Sequence, residues 1–226
     1  MRNMRITARP VTRVFAVCAL LGGTGAAVLL AAGPAGAADC STVGAASCTA
    51  LGSAGISAGG LTLISPDTLT WADTLSGVDQ EAVDTTDTSY VVNDARATGA
   101  GWRVTVAATT FTDGTDTLTA DTTLSTNGSV ASQASTAVPT AACSTGSTTC
   151  TVPVNTALAA SYPIAIPTGP ALAGLPIYEA ALASGLGSIT IGTPGANAVG
   201  WWIAIPANTV PATYTSTFTM DIITGP

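Results

Sequence analysis

The chain has 226 residues and a net charge of −7, with 13 acidic residues against six basic ones, all of them Arg, and it contains neither Lys nor His. The missing imidazole excludes Ser-His-Asp and Cys-His nucleophiles and His-ligated metals, and the missing amine excludes Schiff-base and P-loop chemistry. Four of the arginines lie within the first thirteen residues, and the remainder cannot neutralise a run of phosphates, so nucleic acid is excluded as a partner.

Residues 1–37 read as a secretory signal peptide. Arg2, Arg5, Arg9 and Arg13 form a basic start, residues 14–32 an apolar stretch, and Ala35-Gly36-Ala37 a small-residue cleavage site after Pro34. Gly22, Gly23 and Gly25 weaken that stretch as a spanning helix, so cleavage is expected rather than a retained anchor. Asp39 before Cys40 spoils a lipobox. The mature chain, 38–226, is then a single secreted domain with two arginines against thirteen acidic residues, a net charge of −11. It has no second apolar run long enough for a bilayer.

Thr, Ser, Ala and Gly dominate this mature chain, which favours strands joined by Gly, Pro, Asn and Asp turns. Residues 61–64, 90–93, 116–123 and 188–191 are weak strand candidates. Trp102, Val104, Val106 and Ala108 alternate with Arg103, Thr105 and Ala107, a period of two. Residues 124–160 are polar and of low complexity, and read as a long excursion or a disulfide-clipped hairpin. Residues 177–184 alone look briefly helical. In the strand 201–205, closed by Pro206, the adjacent Trp201 and Trp202 must face opposite sides, one into the core and the other exposed or under a loop. The clearest strand is 214–222: Tyr214, Ser216, Phe218, Met220 and Ile222 alternate with Thr215, Thr217, Thr219 and Asp221. Many short strands without alternating helices predict an all-β, antiparallel sandwich or barrel-like single domain.

Cys18 leaves with the signal, and Cys40, Cys48, Cys143 and Cys150 remain. Four cysteines allow three connectivities. The short spacings suggest local disulfides, Cys40–Cys48 and Cys143–Cys150, and zinc would need CxxC-type spacing.

Two segments resemble the WxL domain of Gram-positive cell-surface proteins. Residues 93–106, from Asn93 and Asp94 through Arg96, Gly99 and Gly101 to Trp102, Val104 and Val106, look like that family's V-x-D-x-R-G-x-G-x-G-W-x-L-x-V stretch. Trp102 is its first tryptophan, and Val104 takes the Leu place. Residues 206–222 are similar to the family's final strand, with Met220 where the second tryptophan stands and Ile222 in the last Leu place. Leu69 and Leu75, in the acidic stretch before the first segment, also suit the family. The resemblance spans roughly Gly59 to the end. It implies a secreted all-β domain held non-covalently on the cell wall, with peptidoglycan as ligand and other secreted surface proteins as further partners.

Ligand-binding candidates are Trp102, Asp94, Arg96 and Trp202. An indole can stack on a sugar ring, though the alternation also places Trp102 in the core with Val104 and Val106. Arg96 and Arg103, the two mature cations, should each have a carboxylate partner, most simply Asp94 for Arg96; the functional alternative is an Arg that clamps a carboxylate of a wall peptide. Asp73, Asp79, Glu81, Asp84, Asp87 and Asp94 read as solvating loop residues rather than a calcium site, and no metal or cofactor is expected. Glu81 and Glu179, the only glutamates, do not read as a glycosidase pair, so no enzyme activity is expected. A reading from another class is a structural or adhesive subunit, in which the Thr face of 214–222, at a sheet edge, invites strand addition.

Overall fold

The computed structural model describes residues 54–118, 123–147, 149–155, 158, 161–170, 173–192 and 197–226. The chain divides into two compact units, Met1–Ala54 and Gly55–Pro226, and the fold described is that of the second. The signal segment, Cys40 and Cys48 lie outside the described residues. No helix among the described residues is long and apolar enough to cross a membrane.

Among the described residues eleven strands follow in order: β1 (Leu61–Ile64), β2 (Gln80–Asp84), β3 (Tyr90–Asp94), β4 (Trp102–Ala108), β5 (Thr123–Asn127), β6 (Ala141–Cys143), β7 (Ile164–Ile166), β8 (Leu175–Ala180), β9 (Gly187–Ile191), β10 (Gly200–Ile205) and β11 (Phe218–Thr224). They form three sheets, β1-β3-β9-β6, β2-β10-β5-β7 and β11-β4-β8. Every pairing is antiparallel. No sheet closes on itself, so the sandwich-like arrangement holds and the barrel does not. All three sheets feed one apolar core: Val92, Ile189 and Ile191 from the first, Leu124, Ile164 and Trp201 from the second, and Trp102, Val104 and Ile177 from the third.

The strongest alternations become strands. On β11, Phe218, Met220 and Ile222 are half-buried, while Thr219 and Asp221 are exposed. Strand β4 departs from a one-faced pattern, because Thr105 and Ala107 are buried as well. The chain at Gly174 lies so close over Thr105 that a Cβ there would come within 2.8 Å of its Oγ1. A strand covered on both faces is hydrophobic throughout, and β4 is nearly so.

Two expectations fail. Residues 177–184 are not helical: Ile177 and Tyr178 belong to β8, and the chain then turns through Ala183 (φ 60°) and Gly185 (φ 71°). Register slips between Val104 and Thr105 where β8 pairs with β4, which lets the neighbouring Ile177 and Tyr178 both be buried and erases the period of two. The candidate 116–123 contributes an isolated bridge, Thr112 to Thr117, and Thr123 already starts β5; residues 119–122 lie outside the described residues. The polar stretch 124–160 supplies β5, an inner strand between β10 and β7, and β6 beside β9. Within it, Cys143 and Cys150 form a disulfide with Cα atoms 5.7 Å apart, which ties the end of β6 to Thr151, itself bridged to Leu186.

Candidate functional site

The residues of the first family segment form a framework. Trp102 is 0% exposed, and its indole stacks on Tyr178 with ring centroids 6.3 Å apart. Its Nε1–H donates to the Gly185 carbonyl at 2.9 Å. No face of the ring is left for a sugar, so Trp102 is a core residue. Asp94 and Arg96 do pair, as expected. Nε and Nη2 of Arg96 donate to the two carboxylate oxygens at 2.9 and 2.8 Å, with 15% of the Arg side chain exposed and none of the Asp. The same guanidinium donates to Thr224 Oγ1 and to the Gly101 carbonyl, so it joins β3, the 95–101 turn and β11. Four of its five N–H groups are committed internally, which leaves no two-pronged clamp for a foreign carboxylate. Arg103 differs from expectation: its Nε donates to the Gly225 carbonyl at 3.4 Å, and no carboxylate partners it among the described residues.

The turn explains the glycines of the motif. Ala97 (φ 58°), Gly99 (φ 64°) and Gly101 (φ 71°) all adopt left-handed backbone, the region where glycine is free and other residues are strained. Ala97 stands where the family stretch has its first glycine, so this chain carries a Cβ in a conformation that disfavours one.

Trp201 and Trp202 divide as their adjacency requires. Trp201 joins the core, edge-on to Phe218 at 5.3 Å, and its Nε1–H donates to the Asp87 carbonyl. Trp202, 5% exposed, lies under the 128–135 loop, donating to the Ser129 carbonyl at 2.8 Å. The loop covers the ring, so Trp202 is not an open platform for a ligand either.

An open site lies elsewhere, where three long connections meet above β10. Residues 65–79, fifteen in all, link β1 to β2; residues 109–122 link β4 to β5; and residues 206–217 link β10 to β11. Connections of this length on a rigid sheet usually carry function. Between them is a cleft of about 480 Å³, floored by Ile203 and Ile205 and walled by Trp71, Phe111, Leu118 and Tyr214, with Asp73, Thr74, Thr209 and Thr213 at its rim. Small-molecule sites typically measure about 300–1,000 Å³ and are mainly apolar with a few polar groups. A second groove of 210 Å³, lined by Ser65, Pro66, Asp67, Ser216, Phe218 and Met220, shares Trp71 and Phe111 with the first. That pair, edge to face at 5.8 Å, is therefore the wall common to both.

The half-buried Trp71 is held from two sides. Its Nε1–H donates to the Trp201 carbonyl at 2.9 Å, and the preceding Thr70 N–H donates to Asp84 Oδ2. Asp79 accepts the Ala207 N–H at 2.9 Å and so bolts the 65–79 connection to the 206–217 connection. Neither a strand period nor the family segments mark Trp71 or Phe111 in the sequence. The available signal was an aromatic in a long, non-periodic stretch between Pro66 and Gly77, where no strand period demands one.

The acidic run serves these loops. Asp84 is fully buried and accepts N–H groups from Thr70, Thr86 and Asp87 and the Thr86 hydroxyl. Burial acts to raise its pKa, but those hydrogen bonds outweigh burial and hold it below the usual carboxylate value of 3.8. Asp94 is likewise lowered, chiefly by the Arg96 side-chain hydrogen bonds, against burial. Among the described residues no three His, Cys, Asp or Glu side chains cluster to hold a metal. In the cleft, burial of the Tyr214 phenol and the charges of Asp113 and Asp116 raise its pKa, so it stays neutral and donates to the Val210 carbonyl.

A pH dependence follows. Groups whose folded pKa is depressed contribute stability above their unfolded pKa and lose it as pH falls through the folded value. With no His to titrate, the melting temperature should be flat from about pH 5 to 8 and fall steeply below about pH 4. Melting curves across this range check it, and Asp84→Asn should lower the plateau and flatten the acid limb.

Comparison with known proteins agrees with the motif. The family model described as the WxL domain, surface cell wall-binding, matches residues 60–170, which includes the 93–106 segment, Trp71 and Phe111 and ends before β8. No curated protein and no solved structure matches the chain. Residues 60–170 thus match the WxL surface cell wall-binding domain, the family that the 93–106 segment resembles.

Proposed function

We propose that the protein is exported through its first 37 residues and then holds itself non-covalently on peptidoglycan, catalysing nothing. The observation that carries this reading is the match of residues 60–170 to a cell wall-binding domain. The open, aromatic-walled cleft supports binding, since stacking on sugar C–H faces needs no titrating group. Absence of catalysis is supported by the lack of His and Lys and by the two glutamates, which lie on different sheets, Glu81 on β2 and Glu179 on β8. Mature protein should sediment with purified cell walls, stay bound at high salt and release no soluble sugar from them. Folded protein that remains in the supernatant with every wall preparation would sink the proposal.

A second reading, docking on other secreted surface proteins, draws on β11. It is the outer strand of its sheet and turns Thr219 and Asp221 to solvent, so its free edge suits an added strand. Light scattering that shows a strict monomer with wall affinity favours the first reading over this one.

A further inference from the structure

We propose that the two grooves flanking Trp71 form one track for a chain of uncharged, N-acylated sugar units, with Trp71 and Phe111 as its central platform. This rests on the peptidoglycan reading and assigns it a place and a specificity.

Three observations converge. The first groove, about 480 Å³, is of ordinary ligand size, whereas the second, 210 Å³, is too small to hold a ligand alone. Because they share the Trp71–Phe111 wall, a ligand seated in the first extends over that wall into the second, which calls for an oligomer. Next, the lining pairs aromatic rings with threonine and serine hydroxyls, as a pyranose requires with its C–H faces and hydroxyl rim. The aliphatic floor of Ile203 and Ile205 is wasted on hydroxyls and suits the methyl of an acyl group. Third, each groove carries a carboxylate, Asp73 in one and Asp67 in the other, and neither is lined by an Arg. Phosphate-rich wall polymers are therefore repelled and uncharged sugars are not.

Trp71 is also pinned before any ligand arrives, by its Nε1–H on the Trp201 carbonyl. A platform so fixed loses little side-chain entropy on binding.

The test uses mature protein, chito-oligosaccharides of one to five units, malto-oligosaccharides of equal length, inorganic polyphosphate and purified walls. Affinity by calorimetry should climb from the chito-dimer to the tetramer, exceed that for the malto series and be absent for polyphosphate. Trp71→Ala should weaken tetramer binding by roughly tenfold or more, and Trp71→Phe by less. Because Trp71 packs on the core, each variant is also melted, and Asp73→Asn provides a variant that leaves the core alone. Asp73→Asn should relax the exclusion of polyphosphate. The inference is overturned by a folded Trp71→Ala protein that binds the tetramer and sediments with walls like wild type, by preference for polyphosphate, or by monosaccharide binding as tight as the tetramer's. It is overturned equally if walls stripped to bare glycan no longer bind, which would make the occupant a peptide. In those cases wild-type sedimentation with intact walls still upholds the wall-binding reading; its loss would end both.

Discussion

Replacing Trp102 by Ala should cost about 4 kcal/mol, within the usual range for removing a large aromatic from a core. The indole is wholly buried, in the middle strand of a three-stranded sheet. β4 is hydrogen-bonded to β11 on one side and β8 on the other, so the backbone cannot move in to fill the hole. Truncation also strips the Gly185 carbonyl of its donor. At that site the fit is close: a Cβ on Gly185, already at φ 71°, would lie 2.5 Å from Trp102 Nε1. The melting temperature should fall by roughly 8–16 °C. Trp102→Phe should fall less, since it keeps most of the apolar contact and loses mainly the hydrogen bond. Wall affinity measured well below the melting transition should be unchanged in both. A Trp102→Ala protein that melts like wild type but has lost wall binding would return Trp102 to the role of a ligand platform.

What the sequence makes legible follows from where one physical rule acts alone. β4 and β11 carry a local period of two and form strands there, although β11 starts at Phe218, four residues after the alternation begins. The Asp94–Arg96 pair is legible because two residues in a chain poor in cations had few other choices. β8 is misread because a register slip buries the adjacent Ile177 and Tyr178, and because Ala180, Ala181 and Ala183 then look helix-forming. β6 and β7 have three residues each, too few to show any period. The cleft is hidden for another reason. Trp71 owes its place to the Trp201 carbonyl 130 residues away, and Asp79 owes its role to Ala207, 128 residues away. No local pattern encodes such contacts. The tryptophans that the family motif or strand β10 draws attention to, Trp102, Trp201 and Trp202, are all buried; Trp71, which neither marks, stands in the open site.

Arg96→Ala should cost about 3 kcal/mol at neutral pH, the low end for stripping one partner from a buried pair, because Arg96 itself is partly exposed. The loss is larger than one ion pair suggests. The guanidinium also holds Thr224 on β11 and the Gly101 carbonyl of the turn that leads into Trp102. Its planar fork matches the Asp94 carboxylate in two places, so Arg96→Lys should recover only part of the stability. The pH dependence separates the pair from ordinary packing. In wild type the Asp94 pKa is depressed, and its contribution is lost as pH falls below about 4. Without Arg96, burial remains and pushes the same carboxyl upward, so its folded pKa lies above the unfolded one and the penalty is felt as pH rises through it. The gap in melting temperature between wild type and Arg96→Ala should therefore be widest near pH 7, at roughly 6–12 °C, and narrow toward pH 3. Adding Asp94→Asn to Arg96→Ala should recover stability at pH 7, because a neutral amide tolerates the buried site better than an unpaired carboxylate. A gap that stays constant from pH 7 to 3, or a double variant weaker than Arg96→Ala alone, would show that Arg96 acts by packing and not by its charge on Asp94.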